Sequence, residues 1–223
     1  YKRQPNNITL NAGLRLDTSH GAQNESHISP RINAVWQKQD DLSFHLGYAR
    51  YFTPPALELV DTPNLAKYTH TTNATEVLTN SSISAERSHY LDFGLTKQLT
   101  PTISLEWDNY LKKATHLLDE GQFGQAVVFN AFNYTYGEIY GSEISLNYTT
   151  KKITAYLNAA EGRAYGKTIS SGQFEFDQET LNYAANHRIA LDHEQALTLS
   201  AGVSYHFTHD LLYFDSLYGS GLR

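Results

Sequence analysis

The chain has no cysteine. A disulfide framework and a thiolate metal site are therefore excluded. It has no long hydrophobic run, and nothing approaches the roughly 18 consecutive apolar residues of a membrane-spanning helix. Mean hydropathy is -0.47, so a hydropathy plot reads the chain as soluble. It has no basic excess: 17 Lys and Arg stand against 23 Asp and Glu, for a net charge of -6. That balance excludes nucleic acid as an expected partner. The familiar chemical motifs are missing too. There is no HExxH, CxxC, EF-hand loop, or Walker or Rossmann glycine order.

What is present is alternation. From Leu197 the chain reads Leu197, Leu199, Ala201, Val203, Tyr205 and Phe207 on one parity. Thr198, Ser200, Gly202, Ser204 and His206 fill the other. Such period-two patterning puts an apolar and a polar face on one strand. It returns about nine times. Strands are expected at about 8–17, 31–37, 42–52, 88–97, from 102 onward, to about 148, from 153, at 183–191 and at 197–207. The span 183–191 has the weakest pattern. The fifth strand blurs at Asn109 and Tyr110, a place for a bulge.

The connections sort by length. Short ones fall at 38–41, 98–101, 149–152 and 192–196, and long ones at 18–30, 53–87, 116–128 and 163–181. Short and long alternate strictly. In an up-and-down barrel every second connection lies on the same side, so short turns share the periplasmic side and long loops the outside. A soluble β-sandwich also favours Tyr and Thr, but it has no reason to segregate loop lengths. Hydropathy misses such barrels because half of each strand is polar. The 16 Tyr and 10 Phe suit aromatic girdles at the two interfaces.

The faces agree. Arg15, Asp92, Glu106, Asp108, Glu143 and Arg188 are expected on the water-filled inner face. The middles of the apolar faces are expected to be free of charge, because a midplane Lys or Arg would cost about 2–4 kcal/mol. Arg50 shares the apolar parity but sits near a strand end, where it can snorkel. The fold class is thus all-β: an antiparallel up-and-down transmembrane β-barrel, here an incomplete set of about nine strands with short periplasmic turns and long extracellular loops. Residues 1–223 form part of one such domain. Tyr1 is no start residue, no signal-peptide segment follows it, and the chain stops without a terminal aromatic. An internal piece of a longer protein is expected.

Two passages carry a resemblance. Ile28-Ser29-Pro30-Arg31-Ile32-Asn33-Ala34-Val35-Trp36 leads through a short turn to Tyr48-Ala49-Arg50-Tyr51-Phe52-Thr53-Pro54-Pro55-Ala56-Leu57-Glu58-Leu59. Further on stands Tyr136-Gly137-Glu138-Ile139-Tyr140-Gly141-Ser142-Glu143-Ile144. Together they resemble the "SPR…YxRxFxxPxxxEL" and "YGxE" passages in the barrels of TonB-dependent outer-membrane receptors. The resemblance spans essentially the whole chain. It implies a larger, 22-stranded barrel filled by an N-terminal plug. It also implies energy-dependent uptake of a scarce nutrient such as a ferric siderophore, haem or cobalamin. The implied partners are outer-membrane lipid, the nutrient, and an inner-membrane energy-transducing complex reached through the plug. The chain departs from the family in lacking the plug and the energy-coupling box, so it is not expected to transport alone.

No catalytic, cofactor or metal site is expected, and the chain is not expected to be an enzyme. The ten His are scattered. His206 and His209 are three apart and point to opposite faces of a strand. The acidic, glycine-containing stretch from Asp119 to Gln125 lacks calcium-ligand spacing and suits an external turn. The polar stretch after Pro55 fits either a loop at a ligand entrance or a plain solvated loop. Ligand-contacting residues are unknown at this stage. An ungated porin-like channel or a surface adhesin barrel stays open as the alternative.

Overall fold

A computed structural model describes residues 7–20, 24–56, 70–72, 74–122, 129–192 and 194–221. Seven long strands come first: β1 (Ile8–Ser19), β2 (Glu25–Gln39), β3 (Leu42–Thr53), β4 (Glu86–Thr100), β5 (Ile103–Gln122), β6 (Phe129–Thr149) and β7 (Ile153–Ile169). A 3-10 turn (Gln173–Glu175) and helix α1 (Gln178–Asn186) follow. Then come β8 (Ile189–Ala190), β9 (Leu197–His206) and β10 (Leu211–Gly219). All pairings are antiparallel and sequential, in the order β1 to β7, then β9 and β10, with β8 also on β7.

The register explains the alternation. One row crosses the whole sheet: Ile8, Trp36, Phe44, Leu95, Trp107, Ile144, Ala159, Leu199 and Tyr218 are successive cross-strand partners. Every member is apolar or aromatic. One residue further along, His45, Gly94, Asp108, Glu143, Ala160 and Thr198 form the matching inner row. A one-residue slip between any two strands would exchange lipid-facing and water-facing side chains at once, so hydrocarbon outside pins the register. Trp36 stacks on Phe44 and Phe93 meets Trp107 edge-on, adding cross-strand aromatic pairs to the outer face. From Ile103 to Leu111 the outer face of β5 rises on the order of 20 Å, at ~3.3 Å per residue and a ~40° tilt, close to the apolar band of such barrels.

Four expectations need correction. The span 183–191 is not a spanning strand. Residues 183–186 complete α1, and only β8 pairs with the sheet, at Tyr165 and Gly166. The segment from Gln178 to Asn186 is helical because Asp177 caps it, its carboxylate accepting from the Thr180 N–H at 2.6 Å. Consequently 192–196 is no periplasmic turn. It interrupts one interrupted strand made of β8 and β9, both of which lie against β7. The ninth spanning strand is instead β10, entered through the short turn 207–210. The long connections are also shorter than the pattern suggested, because strands β1 and β2 stay paired out to Ser19 and Glu25.

The blurring in β5 does not mark a bulge at Asn109 or Tyr110, which pair regularly with Ser142 and Gly141. The irregularity lies at His116. Pairing skips His116 opposite Thr135 in β6, and Thr135 opposite Thr168 in β7. His116 and Thr168 have φ of 53° and 59°, left-handed backbone that is costly for a β-branched residue. The shared bend shifts parity in three strands together. Ala114 and Leu117, three apart, join one buried cluster. Gly137 lies under Leu117, and Gly166 lies under the Tyr134 ring. Asp119 to Gln122 therefore belong to strand β5 rather than to an external turn; residues 123–125 of that stretch lie outside the described residues, as do Leu57, Glu58 and Leu59.

Replacing Ile144 in the outer row by arginine should destabilise the assembled barrel by about 2–4 kcal/mol. Ser145→Arg, one residue along on the inner face, should cost far less. Urea unfolding in lipid bilayers measures both, and equal effects would contradict the face assignment.

Candidate functional site

The inner face below the bend is a wall of polar and aromatic side chains. His45 Nε2 lies 3.0 Å from Asp108 and 3.7 Å from Asp92. These side chains lie over Gly94, where an added Cβ would strike Asp108 and His45. Beside them Tyr51, Tyr90 and Tyr110 form a ladder across three strands. Tyr51 meets Tyr90 edge-on at 6.1 Å, and Tyr90 stacks on Tyr110 at 6.3 Å between ring centroids. The Tyr110 ring reaches over Gly141, and only glycine leaves room for it there. Above the ladder, Lys112 Nζ reaches the buried Glu86 carboxylate at 2.6 Å, which also accepts from the Leu118 N–H.

Beyond the bend, the described segments before β4 and after β7 pack onto this face. Their anchor is Asn133, 1% exposed. Its side-chain amide donates to the carbonyls of Ser84 and His116 at 3.0 and 2.9 Å. Its side-chain oxygen accepts from the Ser84 N–H and the Ser171 hydroxyl at 2.8 and 2.9 Å. All four sites of the amide are used, and the backbone N–H of Asn133 adds a bond to the Ser171 hydroxyl. One side chain thus ties the segment before β4 and the segment after β7 to β5 and β6. Gln173 and Ser81 bond the two segments to each other. Glu25 accepts from the Ala85 N–H and pairs with Arg87. The described part of the β3–β4 connection is therefore docked at its β4 end, where Val77, Ile83 and Ala85 are buried.

Packing reinforces the anchor. Ala114, Leu117, Phe132, Tyr134, Ile169 and Ala184 form the buried cluster, with Leu181 and Ile189 against it. Ala184 is 0% exposed, so α1 lays its Leu181 and Ala184 side on the sheet. Phe132 meets Phe176 at 4.9 Å. Glu175 is buried beside Phe132 and Gly121. Neither of its oxygens finds a hydrogen-bond partner, and burial raises its pKa to about 8. Asp177, two residues on, is held below the usual carboxylate range by the Thr180 N–H.

Of the six charged residues expected inside, Arg15, Asp92, Glu106, Asp108 and Glu143 lie on the polar parity of their strands. Arg15 pairs with Asp17 at 2.5 Å, and Asp108 is the cross-strand partner of Glu143. Arg188 does not join them. Its neighbour Ile189 packs on the inner cluster, and Arg188 itself pairs with Glu138 on the outer face at 2.9 Å. The outer face also carries Glu161, within 3.6 Å of Arg163, so it is not wholly free of acidic residues. Sequence reasoning missed the tyrosine ladder and Asn133. The ladder could have been read from the register, since Tyr51, Tyr90 and Tyr110 share the inner parity. No sequence signal marks Asn133 among the many asparagines. Among the described residues no group of His, Asp and Glu is placed to hold a metal ion.

A sheet with one apolar and one polar face, short turns on one side and inward-folded loops on the other, defines an outer-membrane β-barrel wall. The comparisons give the particular family. Residues 3–221 match the family model described as TonB dependent receptor-like, beta-barrel, and the chain belongs to that family. Among curated proteins no sequence matches. Solved structures share the fold. The FrpB iron transporter from Neisseria meningitidis (F5-1 variant) superposes with a TM-score of 0.63 at 18% identity, over 94% of this chain and 30% of that one. The copper transporter OprC gives 0.64 at 16%, over 91% and 30%. A mutant ferric enterobactin receptor from Pseudomonas aeruginosa, in complex with enterobactin, gives 0.64 at 15%, over 96% and 30%. The chain spans about 30% of the length of each of these three structures. Its location is the bacterial outer membrane.

Two outcomes test the site. Asn133→Ala strands buried backbone groups of Ser84 and His116 and should weaken loop docking by on the order of 3 kcal/mol. Limited proteolysis of the assembled barrel should then cut at 74–86 and 170–177, while the strands stay protected. The second is pH dependence. The raised pKa of Glu175 means the docked state binds more protons than the undocked one. Docking of 170–177 should be firmest below about pH 4.5, weaken up to pH 8 and level off above it. Glu175→Gln should flatten that profile in hydrogen exchange.

Proposed function

We propose that this chain is part of the barrel wall of a receptor that imports a scarce nutrient across the outer membrane, a ferric siderophore, haem or cobalamin being the classes in view. The single observation that carries the reading is the loop roof. The described segments before β4 and after β7 are bonded together through Asn133 at the outer end of a wall bearing His45, Asp92, Asp108 and the tyrosine ladder. An open pore needs no such roof, whereas a receptor that captures a ligand does. Flat tyrosine rings offer contact area at little entropic cost, and hydroxyls at their edges can bond to polar ligands.

On this reading the wall binds and orients and carries out no chemistry, so the protein is not an enzyme. Edge strands β1 and β10 pair on one side only among the described residues. Hydrocarbon does not tolerate unpaired strand edges, so further strands are required to close the barrel. An interior plug and an inner-membrane energy-transducing complex complete the proposed machine. The metals and ligands named for the similar structures belong to those proteins. They make iron, copper and catecholate complexes sensible first candidates to try.

Uptake of labelled candidate nutrients by cells carrying the intact receptor is the test. Accumulation should saturate and should collapse when the proton-motive force is dissipated. Tyr90→Ala should weaken binding of the imported compound about 2–10-fold, the loss expected for an aromatic contact of roughly 0.5–1.5 kcal/mol, with unchanged barrel levels. Uptake that is linear in concentration and indifferent to the proton-motive force would point to an ungated channel instead.

A further inference from the structure

Strands β2 and β3 part above the membrane. Among the described residues their pairing stops at Arg31 and Ala49. Strand β1 stays on β2 out to Glu25, and β3 stays on β4 out to Thr53. The two hairpin arms thus form a fork, and Pro30 is its cause. Gln37 donates its N–H to Asn7 on the β1 side. Donors alternate sides along a strand, so the N–H groups facing β3 belong to the even-numbered residues, and Pro30 has none to give. At ~3.3 Å per residue and a ~40° tilt, His27 stands on the order of 30 Å above the turn after Gln39, past the roughly 25 Å apolar band.

Two bridges close the fork. The His27 ring stacks on Phe52 of the other arm, at 5.6 Å between centroids and 11° between planes. Glu25 pairs with Arg87, whose guanidinium lies over the same Phe52 ring at 5.8 Å. The other Glu25 oxygen accepts from the Ala85 N–H at 2.8 Å, so the fork also holds the entry to β4. His27 is 8% exposed, and its Nε2 has no hydrogen-bond partner. The charges around it are mostly cationic. Arg50 faces it from β3, and Arg87 and His89 from β4. Asp17 on β1 is its cross-strand partner but already takes Arg15 and the Ser29 hydroxyl. Glu25, on its own strand, is taken by Arg87, and Glu86 of β4 by Lys112. Burial first, then Arg50 and Arg87, hold His27 below the ordinary histidine value, with Asp17 opposing.

We propose that His27 is a proton-operated latch of this fork: neutral, it keeps the two arms closed, and a proton taken up from the external medium parts them and frees the entry to β4 from Glu25. An imidazolium here sets two cations, its own and Arg87, against one phenyl ring, with no uncommitted carboxylate to answer them. The closed fork therefore binds fewer protons than the open one. Its stability is complete above about pH 6.5, the ordinary histidine value, declines as pH falls below that, and levels off once His27 is protonated in the closed state too. Glu175 has the opposite sign, since docking of 170–177 firms as pH falls. The two segments joined through Asn133 thus respond to acid in opposite directions, and mild acidity outside loosens the β4 side alone. The latch does not depend on which nutrient, if any, the barrel imports.

The test is hydrogen exchange on the intact receptor in lipid bilayers, corrected for intrinsic rates, on either side of the ordinary histidine value, at about pH 8 and about pH 5. Backbone amides of 25–30 and 84–87 should exchange several-fold faster at the lower pH, while 31–37, in the paired part of β2, stay protected. His27→Gln, neutral at every pH, should erase the difference, and Glu175→Gln should leave it intact. Asp17→Asn removes the opposing carboxylate and should move the midpoint to lower pH; His89, three strands away from Asp17, would not respond. Exchange at 25–30 and 84–87 that ignores pH in the unaltered protein would overturn the proposal. So would a difference that persists in His27→Gln, which would assign the titration to another group. If His27→Gln fails to assemble, Asp17→Asn decides, and an unmoved midpoint would overturn the latch.

Discussion

Inside a bilayer no water is available to satisfy a peptide N–H or C=O. The membrane-spanning part of this chain follows from that constraint. Strands must pair along their full membrane-spanning length, and the sequential antiparallel order gives each inner strand two partners. Because pairing is complete, side chains can only alternate, and hydrocarbon outside with water inside then decides which parity is apolar. The row from Ile8 to Tyr218 is the visible result. Its counterpart inside is free to carry His45, Asp108 and Glu143, which could not be placed on the outer face without a large desolvation penalty.

Above the membrane the constraint relaxes, and the architecture changes where it does. Strands β5, β6 and β7 continue well past the apolar band, but they bend together at His116, Thr135 and Thr168. The bend brings Leu117, Tyr134 and Ile169 onto the inner side, where they meet α1 in a buried hydrophobic cluster. Water has returned here, so ordinary burial of apolar surface drives the packing. Left-handed backbone at His116 and Thr168 is a local strain offset by this cluster and by the fully bonded amide of Asn133.

Much of this was legible as sequence. The parities of β1 to β7 and β9, the short turns after β2, β4 and β6, and the inner placement of Asp92, Glu106, Asp108 and Glu143 were all readable from period two. The differences have physical causes. The stretch around Tyr183 reads as a weak strand, although Asp177 followed by Gln178 and Glu179 is a helix-start signal. Strand β10 is hard to read from sequence because its inner parity, Leu211, Tyr213 and Leu217, is almost as apolar as its outer one, so alternation is faint. Arg188 reads as inner only if a strand runs through 183–191, and helix α1 occupies most of that span.

By itself the sequence determined the class of environment and the register. Alternation is a one-dimensional pattern imposed by a solvent boundary, and a boundary leaves its mark on every strand separately. What only the tertiary structure decided is what meets on the inner side: the Asn133 anchor, the tyrosine ladder and the inward helix. These depend on residues from segments 17 to 92 positions apart in the chain, as with His116 and Asn133 or Ser81 and Gln173. No local pattern encodes such meetings, because they arise from where a bent sheet and its folded connections happen to place their side chains.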